Sequence, residues 1–112
     1  MNIDRLNQYR IMWVMVFFDL PTETKKERKI YATFRKQLLK DGFTMFQYSI
    51  YLRNCASREN ADVHVQRVKN VLPDIGFVGI LSITDKQFAG MELFYAKKLR
   101  QVSTSGQQLE LF

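Results

Sequence analysis

From Ile11 to Phe18 the chain passes through eight apolar residues without a break, Ile-Met-Trp-Val-Met-Val-Phe-Phe, and closes on Asp19-Leu20-Pro21. The run is too short to span a membrane and too rich in β-branched and aromatic side chains to favour a helix, so it predicts a buried strand. Odd positions (Ile11, Trp13, Met15, Phe17) and even positions (Met12, Val14, Val16, Phe18) project to opposite faces, and both sets are apolar. Both faces of the sheet therefore need a cover. Asp19 follows where the strand leaves the sheet, at the kind of edge where α/β proteins place polar function.

Past Pro21 the period changes. Thr24 with Glu27 three residues on matches a capping box, and Ile30, Phe34 and Leu38, with Tyr31 alongside, form an apolar stripe. This predicts a helix to about Lys40, stopped by Asp41-Gly42. Phe43–Asn54 is aromatic and β-branched throughout, and reads as one long strand or as two joined by a bend near Gln47–Ser49. Two are favoured, because twelve residues exceed the usual strand length. Ser57 caps a second helix over roughly Ala61–Leu72, with Ala61, Val65, Val68 and Leu72 as its core stripe and Pro73 as its stop. Gly76–Thr84 predicts another strand, Asp85–Gly90 a polar connection, and Met91–Tyr95 a short extra strand. The order is a split βαβ: an α+β, ferredoxin-like βαββαβ sandwich with an extra C-terminal strand and its helices on one face. Residues 1–95 make that domain. Residues 96–112 read as a flexible tail ending in Leu109-Glu110-Leu111-Phe112, either a frayed end or a docking segment.

Two helices cover one face of such a sheet. The other is covered by the chain's own termini or by a second subunit, and the simplest closure is a two-fold homodimer packed sheet against sheet. One Asp19 per chain then becomes two carboxylates at one place, which repel unless they share a proton or a cation. Mg²⁺ suits carboxylate, water and phosphate oxygens. With a phosphodiester between the carboxylates, such an ion polarises the phosphoryl oxygen and activates water.

Composition narrows the choice of partner. A chain of 112 residues, 46% hydrophobic and 25% charged, is a single globular domain. The polar Met1–Arg10 and the short apolar run after it predict neither a signal peptide nor a membrane span, hence a cytoplasmic protein. The net charge of +6 is concentrated: residues 1–56 hold ten Lys/Arg against five Asp/Glu, and residues 57–112 seven against six. Lys25, Lys26, Arg28, Lys29, Arg35, Lys36 and Lys40 fall on the first helix, with Glu27 its only acidic residue. A solvated face explains them, as does a nucleic-acid backbone. Asp19 likewise reads as a turn or cap residue or as a ligand, His64 as a packing residue near a helix stripe, and Phe46, Tyr48 and Tyr51 as core residues or base-stacking ones. Cys55 alone forms no internal disulfide and no metal cage, and a Gly-rich phosphate loop, paired cysteines and HExxH are absent. An enzyme on this chain would be a sparse one.

The apolar first strand ending in Val16-Phe17-Phe18-Asp19-Leu20-Pro21, the basic helix with Arg28 and Lys29, the Gly42-Phe43 restart and Gln47-Tyr48-Ser49-Ile50-Tyr51 together resemble the CRISPR-associated protein 2 family over about residues 11–95. The resemblance implies a ferredoxin-like homodimer that bridges two dimers of the integrase subunit, CRISPR-associated protein 1, in the complex that inserts foreign DNA fragments as spacers. It also implies a second role, a Mg²⁺-dependent endonuclease acting on RNA or DNA, with Asp19 as catalytic residue and metal ligand. The basic surface, Lys25, Lys26, Arg28, Lys29, Arg35 and Lys36, would lie along duplex DNA through phosphate contacts. The strand near Met91–Tyr95 would be exchanged toward the other subunit, and Leu109, Leu111 and Phe112 would dock on the integrase. An RNA-recognition module shares the element order but is disfavoured, because no strand carries that module's aromatic pattern. A toxin-like ribonuclease stays open.

Overall fold

β1 (Met12–Asp19) lies inside a four-stranded antiparallel sheet of order β2-β3-β1-β4. It pairs on one side with β3 (Ile50–Cys55), from Met12 opposite Cys55 to Phe17 opposite Ile50. On the other it pairs with β4 (Phe77–Thr84), from Met12 opposite Thr84 to Asp19 opposite Phe77. β2 (Thr44–Gln47) completes the sheet beside β3, so Phe43–Asn54 is two strands, separated by Tyr48-Ser49. The computed structural model describes residues 10–95 and 100–102.

The even side chains of β1 meet the helices. Met12, Val14, Val16 and Phe18 are all buried, together with Phe34 and Leu38 of α1 (Lys25–Lys40), Tyr51 of β3, and Ala61 and Val68 of α2 (Arg58–Asn70). Phe18 is the pivot of this layer: its ring meets Phe34 edge-on at 5.1 Å and stacks on Tyr51 at 5.8 Å. α1 has the expected boundaries. Thr24 and Glu27 form a reciprocal capping box, and Gly42, at φ 91, lets Phe43 N–H and Gly42 N–H reach the Leu38 and Leu39 carbonyls. α2 begins after its Ser57 cap and ends at Asn70. Leu72, expected in its core stripe, lies beyond the helix and is exposed; buried His64 fills the stripe between Ala61 and Val68 instead.

The odd face is only half covered, and the chain itself supplies that half. The stretch Asp85–Gly90, expected as a polar connection, contains the helix α3 (Asp85–Ala89), started by a capping box between Thr84 and Gln87. Five residues with a single large apolar side chain are too few to display a helical period. That side chain, Phe88, is buried and stacks on Trp13 at 4.2 Å, while Trp13 Nε1–H donates to Asp85 Oδ1 at 2.7 Å. Phe46, Leu52, Ile83 and Leu93 pack around the pair. Toward the Asp19 end this face is open: Phe17, Leu81 and Phe77 are exposed, and the ring of Phe17 lies directly over Gly79.

The extra strand is β5 (Leu93–Tyr95). It pairs antiparallel with β6 (Arg100–Val102), a strand the sequence pattern did not announce, in a separate two-stranded sheet. Leu109, Leu111 and Phe112 lie outside the described residues. Among the described residues, no helix is long and apolar enough to cross a membrane.

Candidate functional site

Asp19 ends β1 with its carboxylate exposed, and its backbone is held from both flanks. On one flank Gly76, at φ 79, leads into β4; a Cβ there would stand 2.7 Å from the Asp19 carbonyl oxygen, so the strands meet this closely only with glycine. On the other flank Phe18 N–H donates to the Ser49 carbonyl at 3.0 Å, pinning the β2–β3 turn to the end of β1. Buried Leu20 anchors the chain next. The loop that follows is stapled by Arg28, whose guanidinium donates to the Thr22 and Glu23 carbonyls at 3.1 and 2.8 Å. Thr24, not Asp19, caps α1. The Asp19 carboxylate therefore has no structural partner among the described residues.

Mg²⁺ is held by one or two carboxylates together with water and phosphate oxygens. Among the described residues, no group of three or more His, Cys, Asp or Glu side chains is placed to hold a metal. Asp19 is the carboxylate that the end of β1 offers to such an ion.

The basic residues of α1 divide into two kinds. At 3.6 residues per turn, Lys25, Lys29, Lys36 and Lys40 share the side of the helix opposite Phe34 and Leu38, with Lys26 on one flank. All five are exposed, and none forms an ion pair among the described residues. Arg28 and Arg35 lie on the other flank and have intramolecular work. Arg28 ties the loop, and Arg35 lies close enough to the Tyr51 hydroxyl for its guanidinium to oppose the rise in pKa that burial causes there. The free charge of the helix is a lysine stripe.

The remaining candidates sort themselves by burial. Phe46 and Tyr51 are core residues, while Tyr48 is 80% exposed. Cys55 is buried, and that burial raises its thiol pKa, which removes it from consideration as a nucleophile. His64 packs in the helix layer and its Nδ1 meets Asp41 Oδ2 at 2.8 Å; Arg67 donates to Asp41 Oδ1 at 2.9 Å. What the sequence reading missed is the company of Asp19. Phe77 reaches it through strand register, Gly76 through close backbone packing and the Tyr48-Ser49 turn through the Ser49 carbonyl on Phe18 N–H, and the one local hint was a glycine just before an aromatic strand start.

A four-stranded antiparallel sheet with two helices on one face, an unpartnered carboxylate at the end of an inner strand and a lysine-lined outer helix define a ferredoxin-like α+β protein. The chain belongs to the Cas2 family, which serves CRISPR adaptation: the family described as CRISPR associated protein Cas2 matches residues 12–91. A protein of Flavobacterium psychrophilum named CRISPR-associated endoribonuclease Cas2 is 65% identical over 108 residues, covering 96% of this chain and 94% of its own. Proteins of the same name from Parvibaculum lavamentivorans and Ligilactobacillus salivarius are 55% and 41% identical, covering 90% and 87% of this chain and 100% and 96% of their own.

Proposed function

We propose that two copies of this chain join through the open sheet face into a scaffold that holds duplex DNA and bridges dimers of the integrase subunit, CRISPR-associated protein 1, during spacer acquisition. The observation that carries this reading is the stripe of Lys25, Lys29, Lys36 and Lys40, exposed, without ion pairs among the described residues, and on the side of the molecule away from the open apolar face. Such a stripe meets phosphates in any sequence, and each phosphate it neutralises steepens the salt dependence of binding. The separate faces let one surface close a dimer while the other carries DNA. Leu109, Leu111 and Phe112 are the segment we assign to docking on the integrase.

The test is mass-resolved sizing of the full chain with the integrase subunit and blunt duplex DNA. The native chain is expected to enter one complex with both. The triple variant Lys25→Glu, Lys29→Glu, Lys36→Glu is expected to keep the integrase and lose the duplex, with its log–log salt slope reduced by about 3. Unchanged duplex binding by that variant would sink the reading.

The second reading is a Mg²⁺-dependent endonuclease, favoured by the exposed, unpartnered carboxylate of Asp19 and by the names of the relatives. In a sheet-to-sheet dimer Asp19 from each copy would supply the two carboxylates that one chain lacks. The ion, when bound, would provide Lewis-acid stabilisation of phosphoryl charge. Cleavage of single-stranded RNA is then expected to disappear in EDTA and in Asp19→Ala, with the dimer intact in both. Cleavage that survives Asp19→Ala would assign it to another site.

A further inference from the structure

Tyr48 and Ser49 form a two-residue turn between Gln47 and Ile50, which are paired across the strands. The fold gains little from either residue. The Tyr48 side chain is 80% exposed, more than any other large apolar side chain among the described residues, and Ser49 sits at φ 67, where glycine or asparagine is usual. A water-facing ring and a strained serine together are an unfavourable way to turn a hairpin. Such features are retained where something other than the fold uses them.

Their position says what that use is. β1 and β3 pair Phe17 with Ile50, and Phe18 N–H bonds the Ser49 carbonyl. Tyr48 precedes Ser49 in that turn as Asp19 follows Phe18 in β1, so the turn that carries the ring lies at the end of β1 that carries the carboxylate. Neighbouring strands lie about 5 Å apart, so the turn and the end of β1 fall within the reach of one nucleotide. Because the Ser49 carbonyl is bonded to β1, the turn is held at the Asp19 end of that strand. α1 starts at this same end of the sheet, bringing Lys25 and Lys26 as charge for flanking phosphates.

We propose that Tyr48 is a stacking platform for an unpaired nucleobase whose adjoining phosphodiester lies at Asp19. A ring so exposed accepts the face of any base, so the site selects single-stranded over paired nucleic acid without reading sequence. In a duplex the bases are stacked on one another and offer the ring no free face. This inference rests on the nucleic-acid reading above and adds to it a contact that the lysine stripe does not make.

The experiment titrates the full-length dimer, by fluorescence anisotropy, against three probes of one sequence: a short single-stranded RNA, the same single strand as DNA, and the blunt DNA duplex. Tyr48→Ala is expected to weaken single-strand binding about 5- to 100-fold, the span of one lost base–aromatic stack, and to change duplex binding less than about twofold. Tyr48→Phe keeps the ring and is expected to bind as the native chain does. Loss on RNA alone or DNA alone identifies which single strand the platform takes. Undiminished single-strand binding by Tyr48→Ala, an equal loss on strand and duplex, or dissociation of the dimer would each overturn the proposal. A native chain that binds the duplex but no single strand overturns the platform and leaves the scaffold standing; one that binds no probe overturns both.

Discussion

At Asp41 the backbone and the side chain serve different purposes. The backbone N–H closes the last turn of α1 onto the Gln37 and Leu38 carbonyls, and the carbonyl accepts Arg53 Nε–H from β3 at 2.8 Å. The carboxylate points to α2, where it takes His64 and Arg67 on separate oxygens. Burial on its own pushes the carboxyl pKa up, but the hydrogen bonds and charges of His64 and Arg67 outweigh it and hold the pKa below the ordinary value. A carboxyl whose pKa is lower folded than unfolded stabilises the fold fully above the unfolded value, about 3.9. That stability is lost as pH falls through the lower, folded value. Asp41→Asn keeps the shape and removes the charge. We expect it to lower the unfolding free energy by about 1–2 kcal/mol at pH 7, with the gap to the native chain closing as the pH drops below about 4. Urea unfolding at pH 7, 5 and 3 checks this, and a gap that stays constant over that range would contradict it.

At the scale of elements, what the sequence announced and what it withheld have physical reasons. α1 was legible at both ends because its signals are local: Thr24 and Glu27 satisfy each other's backbone, and Gly42 adopts the left-handed conformation a helix stop requires. The division of Phe43–Asn54 was legible from length alone, though nothing in Tyr48-Ser49 names a turn residue for that conformation. α3 was hidden because its one apolar residue is explained only by Trp13, seventy-five positions earlier in the chain. The candidate site divides the same way. Asp19 stood out as a carboxylate ending an apolar strand, and the lysines stood out by their crowding. Arg28 and Arg35 looked like their neighbours, and only the fold showed Arg28 bonded to Thr22 and Glu23 and Arg35 acting on the Tyr51 hydroxyl. Phe77 comes beside Asp19 through register, and the Tyr48-Ser49 turn meets the end of β1 through the Ser49 carbonyl; both are long-range properties with no trace in local pattern.

For the whole molecule the governing asymmetry lies in the sheet. Its helix face is closed, whereas the opposite face is covered by α3 around Trp13 and open from Phe17 onward. β4 adds a second vacancy, since among the described residues it pairs with β1 alone and presents an eight-residue edge. A stable interface buries at least about 1,200 Å² in total, more than Phe17, Phe77 and Leu81 supply between them. The β5–β6 pair, which among the described residues joins no strand of the main sheet, is the element available to make up the difference. A dimer that uses both the open face and this pair must keep Leu81 apolar, while the isolated chain, in which Leu81 is 47% exposed, need not. Leu81→Glu is therefore expected to halve the mass measured by light scattering, from twice 13.3 kDa to 13.3 kDa, with the circular dichroism spectrum unchanged. A variant that still weighs as a dimer would place the interface elsewhere, and a native chain that weighs as a monomer would leave the two-sided apolar pattern of β1 without its second cover.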